Sequence, residues 1–249
     1  MKIKSFTAVV LTLALAGAVM VPAAAAGPSS GVSSKYDCDS VVVAIPIPLS
    51  TAKDYVPASF QVYEEAPNVT LLALEVARCQ ASLGGSPRFN DTISAAMIPV
   101  AGPDHGGSTS SYYALFDGTS SRKTYRALQR IGGAGDLITD SVATFSTRGG
   151  AANTMDANVP WSSSPFTISG AADNDLCTCD ATLILWVAGS KGYVRETLKT
   201  HYAASQGGAA AVTFQPGTTL AKIAGNDKVT GAAFYEKVHA TISFELMNP

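Results

Sequence analysis

Charged side chains are scarce in this 249-residue chain: Asp, Glu, Lys and Arg make up 14% of it, where an average soluble domain carries roughly 25%. Many side chains must therefore face one another or a dry cavity instead of water. A basic excess is also missing, with 17 Lys and Arg against 19 Asp and Glu, so nothing in the composition attracts nucleic acid. Histidine is rare. His105, His201 and His239 are its three copies, scattered over distant segments, and the sequence gives no reason for them to converge on a metal. No cofactor motif stands in its proper context. Gly132-Gly133-Ala134-Gly135 follows a predicted helix instead of opening one, the wrong setting for a phosphate. Asp173-Asn174-Asp175 lacks the remaining ligands of a calcium loop. Gly27-Pro28-Ser29-Ser30-Gly31 fits G-x-S-x-G without the flanking strand and helix of a nucleophile elbow.

Only one long apolar run is present, residues 6–21, after Lys2 and Lys4 and before the small residues Ala23 to Ala26. Interrupted by Thr12 and Gly17, it reads as a signal peptide over residues 1–26 more than as a membrane anchor. The expected product is secreted or periplasmic, with no membrane association after cleavage. Residues 27–35 read as a flexible N-terminal segment and residues 36–249 as a single domain with a sizeable core. Cysteine is limited to four copies, which in an exported chain suggests disulfides more than metal. Cys38 opens the first predicted strand and Cys79 closes the second, so antiparallel pairing of those strands sets the two opposite each other. Cys177 and Cys179 remain. They either bridge each other in a tight Cys-Thr-Cys loop or project together from one side of a strand.

Residues 40–46, 70–77 and 181–188 are apolar on both faces of any strand they form. A sheet with one wet face would alternate, so these segments predict a sheet covered on both sides, as in a barrel with outer helices or a closed double layer. Residues 92–100 are a further strand candidate, and Ser50 can cap a short helix over residues 51–55. The densest signal is residues 112–145. A strand over residues 112–116 ends in an Asp117-Gly118 turn, and Ser120 or Ser121 caps a helix with Tyr125, Leu128 and Ile131 on one face. Gly132-Gly133 stops that helix, and residues 139–145 resume a strand. Beyond it, residues 153–164 read as a loop, 166–169 as a short strand, 171–180 as an acidic surface turn and 193–202 as a polar strand or loop. Residues 209–215 and 234–246 close the sheet, the last with Phe234, Val238, Ala240, Ile242 and Phe244 on its apolar face.

Glu75 is the most informative residue. Its strand is apolar on both faces and its own face carries Leu71, Ala73, Ala77 and Cys79. A carboxylate there is costly unless paired, and burial would raise its pKa toward that of a useful acid or base. It is either catalytic or ion-paired with Arg78 or Arg126. Arg126, on the predicted central helix, either meets a ligand carbonyl or carboxylate by forked hydrogen bonds or is solvated; Arg78 is likewise a candidate ligand-binding group. Tyr112 and Tyr113 point to opposite faces of their strand, which sends one to the lumen as a binding wall or as plain packing.

Four stretches carry a resemblance. They are VVVAIPIPLSTAKDYVPASFQV from Val41, TLLALEVARCQ from Thr70, residues 112–145, and TFQPGTTLAKIAGNDKVTGAAFYEKVHATISF from Thr213. In strand, helix and turn order the chain resembles the acetoacetate decarboxylase-like superfamily over nearly the whole mature length. The resemblance implies a β-rich α+β fold, a closed cone-shaped antiparallel β-barrel with a few flanking helices, and homo-oligomeric assembly. Decarboxylases of that family place a glutamate in the central helix and a Schiff-base lysine just after it. Here the stretch RALQRIGGAG, residues 126–135, has no lysine, and Pro46 stands where the first strand of the decarboxylases carries an arginine. Imine chemistry thus has no agent. The expected function is binding of a small, largely apolar carbonyl or carboxylate metabolite in the lumen, with lyase or isomerase acid/base chemistry through Glu75. The alternative is a non-catalytic carrier or sensor.

Overall fold

A computed structural model describes residues 33–101, 111–133, 135–148, 152–190 and 192–247. The expected signal peptide and the loop holding His105 lie outside the described residues. In chain order the strands are β1 (Ser33–Pro48), β2 (Gln61–Val62), β3 (Val69–Leu83), β4 (Phe89–Ala101), β5 (Ser111–Thr119) and β6 (Asp136–Leu137). They continue as β7 (Val142–Arg148), β8 (Ala152–Val159), β9 (Phe166–Asp175), β10 (Cys179–Gly189), β11 (Gly192–Phe214) and β12 (Lys228–Met247). The helices are short: α1 (Leu49–Lys53), α2 (Arg122–Arg130) and α3 (Thr219–Ala224).

Seven of these strands close into a ring in the order β5-β4-β3-β1-β12-β11-β10 and back to β5. All neighbours run antiparallel except the closing pair, β5 with β10, which is parallel from Ser111 opposite Ile184 to Ala114 opposite Val187. The expected closed barrel is thus present, sealed by one parallel pair. From the C-terminal half of β11 the sheet branches outward through β9, β8 and β7. This branch covers the outside of the ring. Val41, Val43, Leu72, Leu74 and Val76 point outward from β1 and β3 into a core shared with Met155, Trp161, Phe166, Ile168 and Phe214. Their alternate neighbours point into the lumen, so both faces of these strands are occupied and the runs are apolar throughout. Each fully buried Leu or Val contributes roughly 1.5–3 kcal/mol.

Several boundaries differ from the sequence reading for identifiable reasons. β1 starts at Ser33, earlier than residue 36, because Ser33 to Lys35 pair with β12. Asp117-Gly118 is no turn: Asp117 pairs with Ala95 and Gly118 with Ser94, and β5 runs on to Thr119. Gly118 is there for space, since a Cβ on it would run into Ile138 and the Trp161 indole. Residues 153–164 are a strand in their first half. Asn153, Met155, Ala157 and Val159 are buried and alternate with Thr154, Asp156 and Asn158, a period of two hidden by polar outward residues. β9 extends through Asp175, into the expected acidic turn. Residues 193–202 and 209–214 belong to one strand, β11, which pairs with β10 in its first half and β9 in its second.

The central helix forms as its signals predict. Ser121 accepts from the Lys123 and Thr124 amides, Thr124 and Leu128 are buried, and Gly132 beyond the C-terminus has φ 87°. Buried Asp91 on β4 fastens this corner, accepting from Thr124 Oγ1 at 2.6 Å, Thr119 Oγ1 at 2.7 Å and the Ser121 amide at 3.1 Å. By contrast α1 starts from Pro48 with no side-chain cap from Ser50.

Candidate functional site

The inner pleat of the ring encloses a cavity of about 240 Å³, slightly below the roughly 300–1,000 Å³ of drug-sized sites and so matched to a small metabolite. Its walls are mainly small and apolar: Val42 and Ala44 from β1, Ala73 and Ala77 from β3, Ala95 and Met97 from β4, with Leu185, Leu198 and Phe234 opposite. Helix α2 adds Thr124 and Leu128. Four inward carboxyl groups interrupt this apolar lining: Glu75 from β3, Asp117 from β5, Glu196 from β11 and Glu236 from β12; a fifth, Asp180 from β10, also borders it but is exposed and paired with His201. No lysine, arginine or histidine is among the described residues that line it.

Register fixes how the acids lie. Phe234 pairs with Val42, Val42 with Glu75, Glu75 with Ala95 and Ala95 with Asp117, which makes one row across five strands. Glu236 sits opposite Ser40 on one side and Ser205 on the other. Ser40 Oγ donates to Glu75 Oε1 at 3.4 Å. Two acidic groupings result. Glu75 and Glu236 repel each other beside the Tyr112 and Tyr202 hydroxyls, while Asp117 raises Glu196 and is itself repelled by Asp136, Glu75 and Asp91.

Burial is the leading cause of every shift, because a low-dielectric wall penalises the ionised form. Glu75 is raised by burial, offset in part by the Ser40 hydroxyl. Glu236 is pushed up to about 8 by burial and then by Glu75. Asp117 is pushed up to about 7, with the Gly118 amide opposing. Glu196 is held well above the carboxylate range by burial and by Asp117. At neutral pH the lumen therefore holds protonated acids able to donate as well as accept.

Of the residues singled out from sequence, Glu75 and Tyr112 line the cavity, and so do Cys38, Cys177 and Cys179. Tyr113 does not. The pleat turns it outward, where its ring lies 5.1 Å from Phe60 and 6.4 Å from Tyr193. Arg78 is also outside, exposed and donating to Asp39 Oδ2 at 3.1 Å. Arg126 lies on the exposed side of α2. Lys123, in the first turn of α2, rests its ammonium 4.9 Å over the Phe89 ring. Disulfides join Cys38 to Cys79, directly opposite in register with Cα atoms 4.1 Å apart, and Cys177 to Cys179.

Three lumen acids escaped the sequence reading. Glu236 had a usable signal: it is the lone carboxylate on the Phe234, Val238 and Ala240 face of β12, the same anomaly that marks Glu75. Asp117 was masked by Asp-Gly turn chemistry. Glu196 lies in a stretch of alternating polar residues, Arg195, Glu196, Thr197, and only its pairing with Leu185 and Phe244 turns it inward.

No protein-family model and no curated protein matches the sequence. Solved structures do resemble it. An acetoacetate decarboxylase-like enzyme from Sphingomonas wittichii RW1 is 12% identical over 94% of this chain and 99% of that one, with a TM-score of 0.56. The enduracididine biosynthesis enzyme MppR, complexed with pyruvate, is 12% identical over 91% and 93%, with a TM-score of 0.61. Acetoacetate decarboxylase from Legionella pneumophila is 11% identical over 92% and 93%, with a TM-score of 0.60.

Proposed function

We propose that this chain, which has the acetoacetate decarboxylase-like fold, is an exported protein that binds a small, largely apolar carbonyl metabolite in its lumen and moves protons on it. The observation that carries this reading is the Glu75 and Glu236 pair, two buried carboxyls facing an apolar cavity with no cation on its described walls. Of the two ligand handles expected from sequence, the carbonyl is favoured. A ligand carboxylate would meet four acids and nothing positive, whereas a carbonyl oxygen can accept from a protonated one. MppR, of the same fold, is complexed with pyruvate, which carries a carbonyl beside a carboxylate.

Two carboxyls in mutual repulsion share a proton, and that makes an acid and a base of one pair. Glu236, with its pKa near 8, donates its proton to the carbonyl oxygen. Glu75, positioned by Ser40, takes a proton from the adjacent carbon, and the C–H electrons form the enol double bond. When the enol O–H proton returns to Glu236 and the carbonyl re-forms, the double-bond electrons take a proton from Glu75 at a different carbon, which completes an isomerisation. Alternatively, as the same proton returns to Glu236, those electrons expel a leaving group from the next carbon, which completes a lyase reaction. Imine formation has no role, because the described cavity walls hold no lysine.

The test is native mass spectrometry of the mature protein after exposure to a metabolite extract, with and without borohydride. A ligand retained non-covalently, with no borohydride-dependent adduct, is expected. In Glu75→Gln, turnover of the identified ligand should fall far more than affinity. Equal loss of both would favour a carrier or sensor, and a borohydride adduct would overturn the mechanism.

A further inference from the structure

The proton-transfer pair leaves a second pair unused. Asp117 and Glu196 line the same cavity from β5 and β11. Glu196 is only 7% exposed, yet among the described residues no hydrogen bond or ion pair reaches its carboxyl group, and its electrostatic neighbours are another acid, Asp117, and the Tyr36 phenol, neither of them a cation. Asp117 is met by the Gly118 amide alone. A buried carboxyl without a donor is costly, and its ionised form more so. No positively charged side chain stands among the described residues that line the cavity around the pair.

We infer that the ligand carries a protonated amine, held by Asp117 and Glu196. This rests on the reading of the lumen as the ligand site and narrows the ligand to a cationic amine bearing a carbonyl. An ammonium brings three donors and no acceptor, which suits two adjacent carboxyls. A neutral ketone would leave Glu196 as it is. Among the described residues no cluster of His, Cys, Asp and Glu is arranged to hold a metal ion, which favours an organic cation over an inorganic one.

Register also sets the spacing. Asp117 and Glu75 are two strands apart in one row, about 10 Å at the backbone from two strand separations. Ala95 lies between them, so a few methylenes separate the ammonium from the carbonyl.

Binding is then linked to protons. The empty pair holds protons, and an arriving ammonium displaces them. Affinity for the amine should rise with pH through the range near 7 where Asp117 titrates. The other ionisable groups facing the lumen are Glu75, Glu236, Tyr36, Tyr112, Tyr202 and, from β10, Asp180, and Asp91 from β4 and Asp136 from β6 also act on Asp117. Of these Glu236 also ionises near 8 and extends the rise.

Isothermal titration of the mature protein with hexylamine, 2-hexanone and hexanoate tests the inference. Hexylamine should bind about tenfold tighter than 2-hexanone, with proton release detected as a buffer-dependent heat, and hexanoate should bind worst. Glu196→Gln should weaken hexylamine by about tenfold and leave 2-hexanone within about twofold, since one member of a buried charge pair is lost. Asp117→Asn gives a second variant with the same expectation, and retained 2-hexanone binding shows that either variant is folded. If hexylamine binds no tighter than 2-hexanone, or both variants bind it like the parent, the amine inference fails while the lumen reading stands. If none of the three binds or displaces a natively retained ligand, both fail.

Discussion

Glu75 and Asp117 stand in one row on the inner face of the ring with Ala95 alone between them. Glu75 still repels Asp117 across this gap, and in the proposed binding mode the alanine keeps open the space that a ligand would cross to touch both. Ala95 is 3% exposed and lines the cavity, so its small side chain is spatially consequential.

Ala95→Leu should fill that space. Adding methylenes to a packed wall costs about 1–3 kcal/mol, and here the void absorbs part of the added volume. Ligand affinity should fall by more than about tenfold while the fold survives. Titration calorimetry with thermal unfolding of the same variant checks both halves.

Stability should fall as pH rises from about 4 to 8. Buried Glu236 and Asp117 have folded-state pKa values of about 8 and 7, above the roughly 4 of an unfolded carboxyl. The folded protein therefore binds more protons than the unfolded chain, and their stabilisation is complete below the unfolded value and lost as pH passes the folded one. One such proton gives a slope of about 1.4 kcal/mol per pH unit at most. Asp37 acts oppositely on the acid side, because its hydrogen bond from His239 holds it low. Urea unfolding across pH 4–9 should show the decline, and Glu236→Gln should flatten it above pH 5.

Much of this architecture was legible from local chemistry. The runs around Val41, Leu72 and Leu185 are apolar on both faces because a filled outer core and a lumen lie on either side of one strand, and the sequence shows that directly. Ser121, Leu128 and Gly132 mark the ends and buried face of α2. Pairings between distant strands were less legible. Glu196 turns inward only because β11 meets β10 and β12 in a given register, and no window around residue 196 contains that information. Asp117 is a different failure: Asp-Gly favours a turn, but Gly118 is needed where Trp161 and Ile138 press on the strand. His201 and His239, distant in sequence, are direct cross-strand neighbours whose rings stack 6.2 Å apart.

Asp91→Ala should loosen the corner that carries α2. Its carboxyl receives the Thr119 and Thr124 hydroxyls and the Ser121 amide in a buried setting. Removing it leaves several buried donors unpaired, each worth about 1–3 kcal/mol. A loss of about 3–5 kcal/mol is expected, with faster hydrogen exchange at the first turn of α2. Asp91→Asn keeps acceptor capacity and should cost clearly less.

The two disulfides should separate stability from ligand exchange. Cys38 and Cys79 close a loop with a sequence separation of 41, and in the chain-entropy account such a loop removes about 4 kcal/mol of denatured-state freedom. Cys177 and Cys179 are two residues apart, so their bond constrains the unfolded chain far less. Changing both Cys38 and Cys79 to alanine should therefore lower the unfolding midpoint substantially, as read by calorimetry. The Cys177→Ser, Cys179→Ser double variant should leave the stability within about 2 kcal/mol of the parent, less than half the effect of the first. Yet Cys177, Cys179 and the adjoining Asp180 line the cavity, at a point where residues 176–178 connect β9 to β10. Freeing that link should change the ligand dissociation rate in stopped-flow more than it changes stability. Equal effects of the two double variants on unfolding would refute the loop-length argument, and an unchanged dissociation rate would remove the 177–179 bridge from the ligand's path.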